Sequence, residues 1–178
     1  RGVRQHDQSD CGAACLCSIA RAYGIHISLS KIRDMASTER SGTNVLGMVE
    51  AAEKMGLIAK GIKGPPEALV SAPVPSIAHL NLGQDLFHFV VLTRIGKRDI
   101  KYMDPDGGII KKVHIEKFIT EWTGVLVIMA PGPEFRKSND NPGLTGRFLR
   151  LVYPFRNTFL QVLLGAIIYS LLGLSTSL

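Results

Sequence analysis

Three thiols crowd into seven residues near the amino terminus, Cys11, Cys15 and Cys17. A cysteine can act as a nucleophile, a metal ligand or a small apolar filler, and its surroundings decide which. Cys11 and Cys15 stand four apart, so a helix would put both on one face, as a metal pair requires. The spacing C-x3-C-x-C nevertheless lacks a second ligand cluster of zinc type, so no metal is expected, and Cys15 and Cys17 read as buried filler. Cys11 differs from both. Asp10 followed by CGAACLCSIARAYG reads as an N-cap and a helix stopped by Gly24, which places Cys11 where unpaired N–H groups and the helix dipole stabilise a thiolate. Gly12 and Ala13 behind it leave room for a substrate carbonyl. Gln5, in the segment leading into the helix, offers a neutral amide that can donate to an oxyanion.

A base for that thiol is legible much later in the chain. Gly96-Lys97 is a turn signal between LFHFVVLTR and RDIKYMDPD, and pairing the two runs about Gly96 sets Leu92 opposite Ile100, Val90 opposite Tyr102 and His88 opposite Asp104. The rungs are apolar until the last, where an imidazole meets a carboxylate, and Pro105 ends the strand. A histidine held by a carboxylate has a fixed tautomer and a favoured imidazolium form, as a base serving a nucleophile needs. The hairpin alone fits an incidental cross-strand pair as well. Joined to Cys11 it becomes a papain-like arrangement, whose residues are distant in sequence and brought together by the fold.

The elements that would position these groups come in two blocks. Helices are predicted from Cys11 or a residue next to it up to the stop at Gly24, around Ser30–Ala36, and from Thr43 or Asn44 to Gly56. Strands follow over Leu57–Ile62, Val74–Leu80, His88–Ile95, Asp99–Asp104, Ile109–His114 and Val125–Ala130, with a further helix near Ile115–Trp122. Helices first and strands afterwards predict an α+β domain with an antiparallel sheet. His6, His26 and His114 have no partner in the pattern and receive no catalytic role, Asp106 serves the turn, and Trp122 is expected to pack the last helix.

The charge is uneven. Residues 1–135 hold 16 Lys and Arg against 14 Asp and Glu, whereas 136–178 hold five basic residues against Asp140 alone. No charge follows Arg156, and the 22-residue run from Asn157 to Leu178 would make about 30 Å of helix, the thickness of a bilayer core. The basic flank places the preceding domain on the cytoplasmic side by the positive-inside rule. The net charge of +6 therefore needs no nucleic-acid partner. APGPEFRKSNDNPGLTG (130–146) has linker composition. The expected organisation is a domain over 1–133, a linker over 134–146, an amphipathic juxtamembrane segment over 147–158 and a first transmembrane helix over 159–178, in a piece of a longer membrane protein.

QHDQSDCGAAC (5–15), GTNVLGMV (42–49), LFHFVVL (86–92), YMDPDGG (102–108) and EWTGVLVIMAP (121–131) together resemble the C39 peptidase domain of bacteriocin-processing ABC transporters, in order and at compatible spacing. The resemblance covers about residues 1–133 and implies a papain-like cysteine protease fold. It implies Cys11 as nucleophile, His88 as general base, Asp104 as the residue orienting the histidine, and Gln5 in the oxyanion hole. The implied activity is removal of a double-glycine-type leader from an exported precursor peptide, with the leader recognised as an amphipathic helix. Alternative readings are a leader-docking domain that does not cut, another papain-like amidase or acyl transferase, and a metal sensor built on the three thiols. No cofactor is expected for these residues. There is no G-x-x-x-x-G-K-[ST], so ATP and Mg belong to a nucleotide-binding domain outside this sequence. The resemblance further implies a homodimeric transporter in the bacterial inner membrane, with membrane contact through 147–178.

Overall fold

The computed structural model describes residues 2–39, 42–83, 86–139, 148 and 152–175, with the side chains of the last helix described as far as Ser170. A 3-10 turn over Gln8–Asp10 leads into helices α1 (Cys11–Ala22), α2 (Leu29–Met35) and α3 (Val45–Lys54). Strands β1 (Leu57–Lys63), β2 (Ser76–Asn81), β3 (Phe87–Ile95), β4 (Asp99–Asp104) and β5 (Ile109–His114) follow, then α4 (Ile115–Glu121) and β6 (Trp122–Pro131). The six strands form one antiparallel sheet in the order β1-β6-β2-β3-β4-β5. The predicted α+β architecture and nearly every predicted element are present; a 3-10 helix over Pro66–Ser71 is an addition.

The sheet has a core on each face. On one side Ile77, Phe89, Val91, Met103, Val127 and Met129 pack against α1, α2 and α3. On the other, Val90, Leu92, Ile100 and Tyr102 join Leu80, Leu126, Trp122 and Phe118 of α4. Alternate residues of β3 enter different cores because successive side chains of a strand point to opposite faces. Helix α1 is buried on most of its surface, with Ala13, Ala14, Cys15, Leu16, Cys17 and Ala20 all at 0% exposure. Small residues let such a helix lie close to the sheet. Asn44 caps α3 by accepting from Gly47 N–H at 2.7 Å, and Gly56, at φ +80°, ends the turn after it as a left-handed residue.

Three local expectations change. The β3–β4 register is Val91 with Met103 and Leu92 with Tyr102, then Arg94 with Lys101 and Ile95 with Ile100 after an irregularity between Leu92 and Arg94. Beside the turn Ile95 pairs three residues beyond the partner that pairing about Gly96 gives it, and the bulge takes back one of the three, so the strands beyond it stay displaced by two. Asp10 does not cap α1: its side chain makes no cap hydrogen bond and instead pairs with Arg33 of α2 at 3.0 Å while fully buried. The space behind Cys11 is filled by protein. A β-carbon on Gly12 would lie 2.9 Å from Thr43 Cβ, 3.2 Å from Met48 Sδ and 3.4 Å from Phe89 Cδ2.

The first compact unit extends to Asp140 and the second starts at Asn141. Within the first, residues beyond Pro133 still touch the domain: Phe135 packs edge-on against Tyr23, and His26 N–H donates to Ser138 O at 2.7 Å. Residues 140–147 and 149–151, in the expected linker and juxtamembrane segment, lie outside the described residues. In the second unit a 3-10 turn over Tyr153–Phe155 precedes helix α5 (Arg156–Ser175). Among the described residues no helix is long and apolar enough to cross a membrane. The expected span over 159–178 falls partly outside the described residues. Residues 176–178, and the side chains beyond Ser170, lie outside the described residues.

An alanine in place of a helical glycine ordinarily stabilises by about 1 kcal/mol. At Gly12 the crowding by Thr43 Cβ, close to its own backbone, outweighs that gain, since overpacking costs about 1–3 kcal/mol. Gly12→Ala is therefore expected to lower the thermal midpoint by several degrees, measured by circular dichroism; a raised midpoint contradicts the packing of α1 described above.

Candidate active site

Cys11 is the first residue of α1 and is 6% exposed. Two contacts seat α1 on β3 at this end: Gly12 faces the Phe89 ring, and the buried Cys15 thiol donates to the Phe89 carbonyl at 3.3 Å. His88 immediately precedes Phe89, so the same seat holds its imidazole near the Cys11 thiol, whose proximity raises the basicity of the ring. The other side of the ring is held by Asp104: His88 Nε2 donates to Oδ1 at 2.9 Å. With Nε2 so engaged, Nδ1 is the ring nitrogen left for the thiol.

The His–Asp contact survives the change of register. Extending the observed pairing places Asp104 diagonally from His88 and on the same face, because the shift is by two residues and the side-chain period is two. Asp104 is 6% exposed and fully engaged. Oδ1 also accepts from Asp106 N–H at 3.0 Å, and Oδ2 accepts from Lys111 Nζ at 2.6 Å.

The electrostatics follow from these bonds. Burial lowers the basicity of His88, but the hydrogen bond to Asp104 and the proximity of Cys11 together outweigh it and hold its pKa at about 9. The bond from His88 and that from Lys111 keep Asp104 well below the usual carboxylate range, against the opposing effect of burial. Burial pushes the Cys15 thiol far up, and the neighbouring Cys11 adds to that. Cys15 therefore stays a neutral thiol beside the site, and Cys17 is likewise buried, with its thiol donating to Ile27 O at 3.5 Å.

Gln5 reaches the same place from the chain start. Its N–H donates to Pro105 O at 2.8 Å, next to Asp104, while Val3 N–H donates to Ser18 Oγ of α1 at 2.8 Å. The segment is thus tied both to the helix and to the turn after β4. Gln5, His88, Asp104 and Lys111 line one cavity of about 310 Å³, whose apolar wall is Leu82, Leu86 and Phe87. Gln5 Oε1 is buried with no hydrogen-bond partner among the described residues.

Each of Gln5, Cys11, His88 and Asp104 lies at this one end of the sheet. Lys111 and Arg33 were not anticipated. The signal for Lys111 lay in the PDGG turn, which pairs Asp104 with Ile109 and puts Lys111 two residues on, on the face of Asp104. Arg33 reaches Asp10 from another helix, for which the pattern holds no cue. His114 pairs with Asp99 at the surface at 3.4 Å, and Trp122 packs in the core with its Nε1 donating to Val125 O. Among the described residues no cluster of His, Cys, Asp or Glu is arranged to hold a metal ion.

Comparison with known proteins identifies the family. The lactococcin-G-processing and transport ATP-binding protein LagD of Lactococcus lactis is 31% identical over 90% of this chain and 23% of its own length. The transport/processing ATP-binding protein ComA of Streptococcus pneumoniae is 31% identical over 96% of the chain and 24% of its own. The chain thus spans about a quarter of the length of these curated relatives. The crystal structure of the peptidase domain of Streptococcus ComA superposes with a TM-score of 0.68 at 34% identity, covering 74% of this chain and 98% of that one. A double glycine motif protease from an AMS/PCAT transporter, crystallised with its leader peptide, superposes with a TM-score of 0.67 at 32% identity, covering 74% and 91%. Residues 1–134 match the model of the Peptidase C39 family, and with six antiparallel strands, a cysteine at the start of α1 and relatives of this kind, the chain belongs to that family.

Proposed function

We propose that this domain is a cysteine endopeptidase that removes a double-glycine-type leader from a bacteriocin or other exported peptide precursor. The observation that carries the reading is the placement of His88 between a buried carboxylate and the Cys11 thiol. The leader peptide seated in the related double glycine motif protease supports the substrate class. His88, as imidazolium, holds Cys11 as the thiolate, which attacks the carbonyl of the small residue ending the leader. The Gln5 amide and the Cys11 backbone N–H hold the oxyanion. His88 then gives its proton to the departing amine, and water hydrolyses the thioester. A substrate without side chains at the cut suits a cavity walled on one side by Leu82, Leu86 and Phe87 and on the other by Gln5, His88 and Asp104. In the whole protein the peptidase lies on the cytoplasmic side of the bacterial inner membrane, attached through 147–178. There it serves a homodimeric exporter whose ATP and Mg are held by sequence outside these residues; the names of the relatives, transport and processing ATP-binding proteins, support the transport and the use of ATP alone.

Cys11→Ala is expected to abolish cleavage of a precursor ending its leader in Gly-Gly, a loss of at least about 10³-fold, while binding of the isolated leader, read by fluorescence anisotropy, stays within about twofold. Cleavage that persists in Cys11→Ala sinks the assignment, and intact precursor with the parent chain favours a docking role. The pH dependence has a definite sign. His88 is held at about 9, so the imidazolium is present below that pH and is lost as pH rises through it; kcat/KM should fall on an alkaline limb near pH 9. In Asp104→Asn the bond that raises His88 is weakened, and the limb should move down toward the ordinary histidine range with a rate loss of about 10–10²-fold, smaller than that of His88→Ala. An unmoved limb in Asp104→Asn shows that His88 does not set it.

A further inference from the structure

We propose that Lys111 is a positioning residue of this peptidase: its ammonium group on Oδ2 of Asp104 offsets the charge of that carboxylate, so that His88 can release its proton to the departing amine. The inference rests on the catalytic reading of Cys11 and His88.

The two oxygens of Asp104 have separate duties. Oδ1 takes His88 Nε2 at 2.9 Å and Asp106 N–H at 3.0 Å, whereas Oδ2 takes only Lys111 Nζ, at 2.6 Å. Lys111 and Lys112 are neighbours on β5, an edge strand where lysines ordinarily face water. Lys112 does so, pairing at 2.9 Å with an Asp99 whose side chain is 33% exposed. Surface pairs of that kind contribute little. Lys111 turns the other way, onto a carboxylate whose side chain is 9% exposed and whose other oxygen holds the histidine.

That placement matters because a general acid must let its proton go at working pH. A buried carboxylate facing only an imidazolium would hold that proton too firmly. The charged and titratable groups around His88 are Cys11 from α1 and Asp104 from β4; around Lys111 they are Asp104, Asp106 and the Tyr102 hydroxyl. Lys111 is the one cation among these groups besides His88 itself. Its removal leaves both donors on Oδ1, so the His88–Asp104 geometry survives while the carboxylate acts on the imidazolium unopposed. His88 then becomes more basic and a poorer acid. A lysine that merely braced the β4–β5 hairpin would change stability without moving a titration.

The test is cleavage of a synthetic precursor with a helical leader ending in Gly-Gly, by the full chain and its Lys111→Met and Lys111→Arg variants, with kcat and KM followed from pH 6 to 10 at low ionic strength. In Lys111→Met the alkaline limb should move up by about half a pH unit, the size reflecting screening of a half-exposed cation. Its kcat at neutral pH should fall roughly 3–10-fold with KM little changed. Lys111→Arg should restore both to within about twofold. A limb that stays in place or moves down in Lys111→Met, or an arginine variant that behaves like the methionine one, overturns the role of Lys111 alone. A parent chain that leaves the precursor intact overturns the catalytic reading, and the role of Lys111 with it.

Discussion

A thiol on a helix and an imidazole on a strand meet only as accurately as the helix is seated on the strand. Here the seat is the contact of α1 with β3, and it is made at Phe89, the residue next to His88. The Cys15 thiol donates to the Phe89 carbonyl, and the absent side chain of Gly12 lets the Phe89 ring approach. Both contacts lie within one helical turn of Cys11. Any slippage of α1 along the sheet would therefore be resisted closest to the reacting atoms, where close packing tolerates misfit least. The small residues of α1 have this consequence too: they leave little freedom for the helix to settle elsewhere. The cost is a start to α1 that cannot accept even one added methyl group without displacing Thr43.

Charge is arranged around Cys11 with the same economy. Two buried carboxylates flank it, Asp10 directly before it in the chain and Asp104 beyond His88. Unpaired, each would oppose a thiolate and would itself be strongly disfavoured in the interior. Asp10 is matched by Arg33 at 3.0 Å and also accepts His6 N–H at 3.3 Å. Asp104 is matched by His88 and Lys111. Cys15, the nearest further source of negative charge, is kept as a neutral thiol by burial.

Much of this was legible in the residues, and the failures are specific. Helix boundaries were marked by residues with one structural use, such as Asn44 and Gly56, and strands by alternation, so these elements fall where expected. The His88–Asp104 pair was found from a register that is itself displaced. Parity explains why: a shift of two keeps every side chain on its face, so the contact became diagonal without being lost. The bulge near Thr93 was invisible because it answers to a turn whose length the residues do not state. Asp10 misled because a carboxylate before a helix looks the same as a cap whether or not a distant arginine claims it. Gly12 misled for a related reason. Absence of a side chain records that something comes close, and the sequence does not say whether that is substrate or the protein's own Thr43, Met48 and Phe89. Lys111 was within reach of the β4–β5 register, and was passed over because lysines on edge strands usually face water.

The wall of the cavity shows what remains for a substrate to supply. Leu82, Leu86 and Phe87 are 46%, 50% and 52% exposed, beside groups that work better in a drier setting. Covering such side chains is worth on the order of 1 kcal/mol each at about 25 cal/mol per Å². A peptide laid along them would gain that energy and, in the same step, shield His88 and Asp104 from water. Screening by solvent weakens both the attraction between imidazolium and thiolate and the hold of the carboxylate on the ring, so both strengthen once water is displaced. In the proposed mechanism the rigid half of the site, built on α1, β3 and β4, sets the direction of proton transfer. The apolar half is left open at the surface, and binding of the substrate completes the environment in which that transfer occurs.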